Sequence, residues 1–245
     1  NLTRFWPLVA APAGYDPHRE PVFLTIETAQ YYMMRFVRPK VAQGIFDSIG
    51  LPPPRIATQL LDNLAKAAVA DFGFDEIGQR LINAWGDRHS SRVKIFQVIQ
   101  TITAEYQAYC QQHNLLDYAA QLKLFMKTLA PHPVFQRYFM AQYRHLIADN
   151  IEESGPVVHD FIKDRWEQWQ TALLVMDTEA GYRTFLGASP ENAGGLASLC
   201  DQHLVFEPSP DMEGPLQALE HEVQRALNPV FSARSAPAHN PVAAL

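Results

Sequence analysis

Two short apolar runs, Tyr143-Arg-His-Leu-Ile-Ala148 and Thr171-Ala-Leu-Leu-Val-Met176, each stop at an acid, Asp149 and Asp177. Between them the stretch from Pro156 to Trp169 has the pattern of a helix. Strand, helix and strand, with an acid at the carboxyl end of each strand, describe a βαβ unit of a parallel α/β sheet. Ligands of such sheets bind just beyond the carboxyl ends of the strands, where both aspartates stand. Singly, each aspartate is equally well a turn former or a helix cap.

The rest of the chain is mostly helical in pattern. Residues 1–21 carry four prolines and a glycine and read as irregular, and Pro21-Val-Phe-Leu-Thr-Ile26 reads as a short buried strand. From Glu27 to about Val41, Tyr31, Met34, Val37 and Val41 recur at helical spacing. Pro52-Pro53-Pro54 is a stiff connector that no helix runs through. Beyond it lie amphipathic stripes on Leu60, Leu61, Leu64, Ala68 and Val69, over 74–85, over 91–113 and over 117–129, the last ending at Pro131 and Pro133. Leu204-Val-Phe206 is expected as a further strand and 216–227 as a further helix, with a mobile tail over 229–245.

Composition narrows the function classes. The formal charge of −6 excludes a polycation that binds nucleic acid by blanket phosphate neutralisation, but not a local basic groove. Two cysteines, Cys110 and Cys200, make no disulfide framework and no C-x-x-C pair, which points to a reducing, cytoplasmic setting. No apolar run approaches the roughly 18 residues that span a bilayer, so no membrane is expected. The first residue is Asn and no charged-then-apolar leader follows, so the sequence is expected to start partway into a longer chain.

Nine histidines are scattered without metal-ligand spacing, and no Gly-x-Ser-x-Gly elbow supports a hydrolase triad. Tyr31, Tyr32, Phe36, Tyr106 and Tyr109 have the spacing of core residues and equally the chemistry to stack on bases. Arg35, Arg38 and Lys40 form one basic patch, and Arg88, Arg92 and Lys94 a second. Each is a phosphate contact or a solvated helix face.

Four segments carry a family likeness. Tyr143-Arg-His-Leu-Ile-Ala-Asp-Asn-Ile-Glu-Glu153 resembles the Walker B motif of UvrD/Rep-type superfamily 1 helicases, hydrophobic-hydrophobic-Val-Asp-Glu-Phe-Gln-Asp. Val175-Met-Asp-Thr-Glu-Ala-Gly-Tyr-Arg-Thr-Phe-Leu-Gly-Ala188 is similar to the next motif, Gly-Asp-Pro-Asp-Gln-Ser-Ile-Tyr-Arg-Phe-Arg-Gly-Ala, and Ser189-Pro-Glu-Asn192 to the Asp-Pro-Glu-Asn that follows. Leu115-Leu-Asp-Tyr118 resembles Leu-Asp-Phe-Asp-Asp-Leu. The likeness covers about 100–200 well; around it, Phe23-Leu-Thr-Ile-Glu-Thr28 stands where the family has Gly-Thr-Phe-His-Ser, and Phe206-Glu-Pro-Ser209 where Asn-Tyr-Arg-Ser is expected.

The resemblance implies an α/β fold: a RecA-like (P-loop NTPase) parallel sheet with a large all-helical insertion, helix-dominated overall. Residues 1–30 and 141–228 would form a partial RecA-like domain and 31–140 the insertion. It implies ATP and Mg2+ as ligands of an active parent protein, with Asp149 on the metal, and Asp149, Asp177 and Arg183 at the nucleotide. It implies single-stranded DNA as partner, met by Thr25, Thr28, Arg35, Arg38 and Phe185.

The departures weaken the motor chemistry. Asn150 replaces the glutamate that activates water, and a carboxamide cannot take a proton. Glu152 and Glu153 follow closely but are expected to point elsewhere. Ala180 replaces the γ-phosphate-sensing glutamine, and Thr184 and Leu186 replace two arginines. No Gly-x-x-x-x-Gly-Lys-Ser/Thr loop occurs in the chain. Two functions follow: an ATP-dependent DNA helicase-related domain impaired in hydrolysis, or a catalytically dead helicase-like scaffold that binds nucleic acid or a protein.

Overall fold

Trp6 starts a one-turn helix, α1 (Trp6–Val9), in the stretch that reads as irregular, and its indole donates to the carbonyls of Asp16 at 3.2 Å and Arg19 at 2.7 Å. The structure, a computed structural model, describes residues 2–85, 92–177 and 182–206, and residues 218, 219, 222, 223 and 225. Strand β1 (Val22–Phe23) follows, and helix α2 (Ile26–Ala42) starts on an N-cap at Thr25, whose hydroxyl accepts from the Thr28 N–H at 3.3 Å. The buried stripe of α2 is Ala29, Met33 and Val37, so Tyr31 falls on the outer face and is 75 % exposed.

Helix α3 (Pro53–Val69) uses the proline run instead of being stopped by it. Pro52 is extended at the N-cap while Pro53 and Pro54 occupy the first turn, where a missing N–H costs nothing. Helices α4 (Ile77–Trp85) and α5 (Val93–Gln112) come next. Together α2, α3 and α5 bury Met33, Val37, Leu60, Leu64, Ile102 and Tyr106 in the largest core.

Two residues past the end of α5 stands Asn114, fully buried with φ 53°, a left-handed conformation that asparagine tolerates better than most residues. Its amide donates to the Asp16 and Arg19 carbonyls, each at 2.8 Å, and accepts from the Asp16 N–H at 3.0 Å, pinning the N-terminal segment. Strand β2 (Leu115–Leu116) then pairs in parallel with β1, Val22 opposite Leu115 and Phe23 opposite Leu116. Thus 31–140, which reads as wholly helical, contains a strand. Val22 and Phe23 are exposed, not buried as expected, because β1 is paired on one side only among the described residues.

Asp117 caps α6 (Tyr118–Leu124), accepting from the Ala120 N–H at 2.8 Å and from the Tyr106 hydroxyl at 3.0 Å. Burial pushes the Asp117 carboxyl above its ordinary range, against the opposing pull of these hydrogen bonds. The stability linked to it is therefore complete below about pH 4, the unfolded value, and is lost as pH rises through the folded value. Asp117→Asn keeps a capping oxygen and removes the buried charge. The stability difference between the variant and the parent should shift in the variant's favour from pH 4 to pH 8, measured by urea denaturation. A constant difference across that range would contradict the assignment.

A π-helical turn (Phe125–Leu129) follows α6, and α7 (Pro133–Gln142) starts on Pro133, a residue that reads as a terminator. Strand β3 (His145–Ala148), helix α8 (Pro156–Lys163) and strand β4 (Thr171–Leu174) form the expected βαβ unit, the strands parallel from His145 opposite Thr171 to Ala148 opposite Leu174. One face of the pair packs Leu146, Ala148, Leu174 and Met176 on Ile151, Ile162, Ala193 and Leu196. The other is open, with Ile147 76 % and Leu173 54 % exposed, so these strands are not buried on both faces. Helix α9 (Pro190–Gly195) closes this part.

Among the described residues the architecture is thus helix-dominated with two parallel strand pairs. Residues 1–199 form one unit and 200–245 a second. In the second unit Leu204-Val-Phe206 forms no strand, against expectation. Of the helix expected over 216–227, Ala218, Leu219, Glu222, Val223 and Arg225 are helical. The tail over 229–245, together with Arg88, Ala180 and the remainder of 207–228, lies outside the described residues. No helix among the described residues is long and apolar enough to cross a membrane.

Candidate functional site

The carboxyl ends of β3 and β4 are tied together by backbone. The Val175 N–H donates to the Ala148 carbonyl at 2.8 Å, and the Ile151 N–H to the Val175 carbonyl at 3.2 Å. Asp149 and Asp177 therefore leave adjacent parallel strands, both exposed. Asp149 Oδ1 accepts the Asn150 N–H at 2.9 Å, a local turn bond. Asn150 itself is left-handed, φ 52° and ψ 45°. An asparagine stands at ease there, whereas a longer side chain without a short amide is strained by about 1–2 kcal/mol.

The turn after Asn150 (Ile151–Glu153) decides what the neighbouring acids can do. Glu152 is 2 % exposed, and its carboxylate accepts the Asp177 N–H at 3.3 Å, bridging the two loops beyond the strands. Glu153 pairs with Arg183 at 3.2 Å. His159 of α8, buried, donates through Nε2 to the Ile151 carbonyl at 2.8 Å, and its Nδ1 has no hydrogen-bond partner among the described residues. Gly155 caps α8, and the Ser189 N–H donates to the Ser154 carbonyl at 3.0 Å, which draws the loop after β4 onto the same turn.

The structure thus brings Asp149, Asn150, Asp177 and Arg183 to one end of the βαβ unit, turns Glu152 onto Asp177 where it was expected to point elsewhere, and adds His159, which sequence reasoning left among the scattered histidines. The hint for Glu152 was available in its place three residues past a strand-ending aspartate. Its partner was not, because the contact joins residues far apart in the chain. Phe185 is exposed nearby in sequence, in a 3-10 turn (Tyr182–Leu186).

The other residues expected at DNA lie elsewhere. Thr25 and Thr28 follow β1 and are engaged with one another, the Thr28 hydroxyl donating to the Thr25 carbonyl at 3.1 Å. Arg35 lies 4.9 Å from the Tyr109 ring centroid, and Arg38 is exposed. Of the aromatic residues with two open readings, Tyr106 is core, Tyr32, Phe36 and Tyr109 are half-buried, and Tyr31 is exposed with its ring 5.5 Å from Tyr32.

A magnesium ion is usually held by one or two carboxylates plus substrate phosphates and water, not by a closed protein cage. Asp149, exposed with one oxygen in a local bond, fits that demand. Among the described residues no cluster of three or more His, Cys, Asp or Glu side chains would hold an ion alone. Bound there with a nucleotide, the ion would neutralise phosphate charge. Of the described acidic and amide side chains that follow Asp149, Asn150 is an amide, Glu152 accepts from the Asp177 N–H and Glu153 pairs with Arg183.

Comparison with protein-family models and with curated proteins finds no match to this chain.

Proposed function

We propose that the chain is a UvrD/Rep-like helicase-related domain, RecA-like in ancestry, that binds single-stranded DNA in a cytoplasmic setting and does not turn over ATP at a motor's rate. The observation that carries this reading is the juxtaposition of Asp149 and Asp177 at the carboxyl ends of adjacent parallel strands, in segments that resemble successive helicase motifs. The silent-site half rests on Asn150, Glu152 and Glu153. The amide cannot accept a proton, and both glutamates are already paired. Loss of a general base costs about 10²–10⁴-fold in rate. The chain's own role is then to hold nucleic acid, or a protein partner beside it, as a scaffold.

The test pairs two measurements on the chain. Phosphate release from magnesium-ATP with single-stranded DNA present should stay at background, and Asn150→Glu should not raise it. That variant should also lose about 1–2 kcal/mol of stability from the left-handed backbone. Turnover at roughly 1 s⁻¹ or faster, an ordinary enzymatic rate, would sink the silent-site reading. Fluorescence anisotropy with an oligothymidine should show binding that weakens with salt, reduced by Arg35→Ala with Arg38→Ala. Absence of binding at low salt would remove the nucleic-acid half.

A further inference from the structure

Away from the strand ends, α5, α6, the turn at Phe74 and the N-terminal segment surround a cavity of about 450 Å³. That volume is within the usual range for small-molecule sites, roughly 300–1,000 Å³. Leu64, Phe74 and Leu124 supply apolar wall, while Tyr15, Tyr106 and Asp117 bring polar groups to it. We propose that this cavity binds a small organic cation, an amine on a compact apolar body, with Asp117 as its counter-ion.

Asp117 is buried, and its hydrogen bonds come from neutral groups, the Ala120 N–H at 2.8 Å, the Tyr106 hydroxyl at 3.0 Å and the Ala119 N–H. A carboxylate has about four acceptor positions, so capacity remains. Among the described residues no cation of the protein pairs with it. The two lysines that line the cavity are occupied elsewhere: Lys123 lies 3.9 Å from the Phe74 ring centroid, and Lys127 pairs with Asp71. Capping α6 explains one oxygen of Asp117, but serine or asparagine would cap it without a buried charge. A buried carboxylate is costly unless an opposite charge meets it. The cavity is where that charge has room, and its apolar wall selects a ligand with a hydrophobic body. Burial also raises the Asp117 carboxyl, in keeping with a charge that the protein itself leaves uncompensated. This inference is independent of the nucleotide-site reading, since none of these residues belongs to the β3–β4 ends.

Isothermal titration of the chain with benzylamine, and with its neutral and anionic analogues benzyl alcohol and benzoate, tests it. Benzylamine should bind about tenfold or more tightly than benzyl alcohol, the usual worth of a charged hydrogen bond. Asp117→Asn should erase that preference while leaving the alcohol's affinity unchanged. Ala108→Phe, at an exposed position on the cavity wall, should weaken amine and alcohol together and so separates the cavity from general attraction to an acidic protein. It also carries the test if Asp117→Asn fails to fold. Equal affinities for amine and alcohol, a preference for benzoate, amine binding untouched by Ala108→Phe, or no binding of any of the three would each overturn the proposal.

Discussion

Phe135→Ala should cost the protein about 3–5 kcal/mol, the range for truncating a buried phenylalanine. Phe135 has no exposed surface. Its ring lies 5.5 Å from Phe5 edge-on, 5.6 Å from Phe125 edge-on, and 5.6 Å from Phe139 in a stacked arrangement. Phe139 continues the contact to Phe161 of α8 at 5.7 Å and to Trp169 before β4 at 5.8 Å. The alanine variant therefore loosens α1, α7 and the aromatic seam that leads into the βαβ unit. It leaves untouched the core of α2, α3 and α5, to which Phe135 does not belong. For a chain of this length the loss corresponds to a melting shift on the order of 10 °C. Hydrogen exchange should rise first in α1 and α7, with α3 and α5 protected. Phe135→Leu keeps much of the volume and should cost about half as much or less. A loss under about 1 kcal/mol for the alanine variant would mean that this cluster is not closely packed.

The comparison of sequence with structure turns on what an apolar run can and cannot say. Strands β3 and β4 were legible because each run ends at an acid and a helix separates them. Their burial was not, since a run of apolar residues does not reveal how many faces of its sheet are covered, and Ile147 and Leu173 lie on an open one. Strand β2 escaped because two leucines after a long helix look like one more turn of it. The break is made by Asn114, through a backbone conformation and three hydrogen bonds to residues nearly a hundred positions earlier. Helix α7 escaped because Pro133 serves equally as the end of one helix and the start of the next, and His132 caps the second through Nδ1 at 3.2 Å. Leu204-Val-Phe206 has the composition of a strand, but a strand requires a partner, and that is a tertiary fact. At the site, Asp149 and Asp177 followed from strand-end logic. The disposition of Glu152 and Glu153 required knowing which loop each would meet.

Gly155→Ala should be the most damaging addition of a single methyl at the candidate site, at about 1–3 kcal/mol or somewhat more. The backbone angle at Gly155 is one that alanine adopts freely, φ −83°, so no conformational strain enters. The cost is steric. A Cβ there would fall inside the contact distance of Val69 Cγ1, 3.1 Å from the Val69 carbonyl oxygen and 3.2 Å from that of Gly187. Val69 ends α3, and Gly187, itself at φ 101°, lies in the loop after β4. The new methyl therefore pushes apart three segments at once, beside the turn that holds Glu152 against Asp177. The Val69 side chain can rotate away, but the two carbonyls can move only with their backbones. This predicts a double-variant result. Val69→Ala removes the worst clash, so Gly155→Ala with Val69→Ala should lose less than the sum of the single losses by about 1 kcal/mol or more, a coupling usual for residues in contact. Gly194→Ala is the control, since a Cβ at Gly194 meets nothing within 4 Å and the residue is in α9, where alanine is the better helix former. It should be neutral or stabilising by up to about 1 kcal/mol. Urea denaturation of the four variants decides the matter: strictly additive losses at 155 and 69 would show that α3 is not held against the strand-end turn through Gly155.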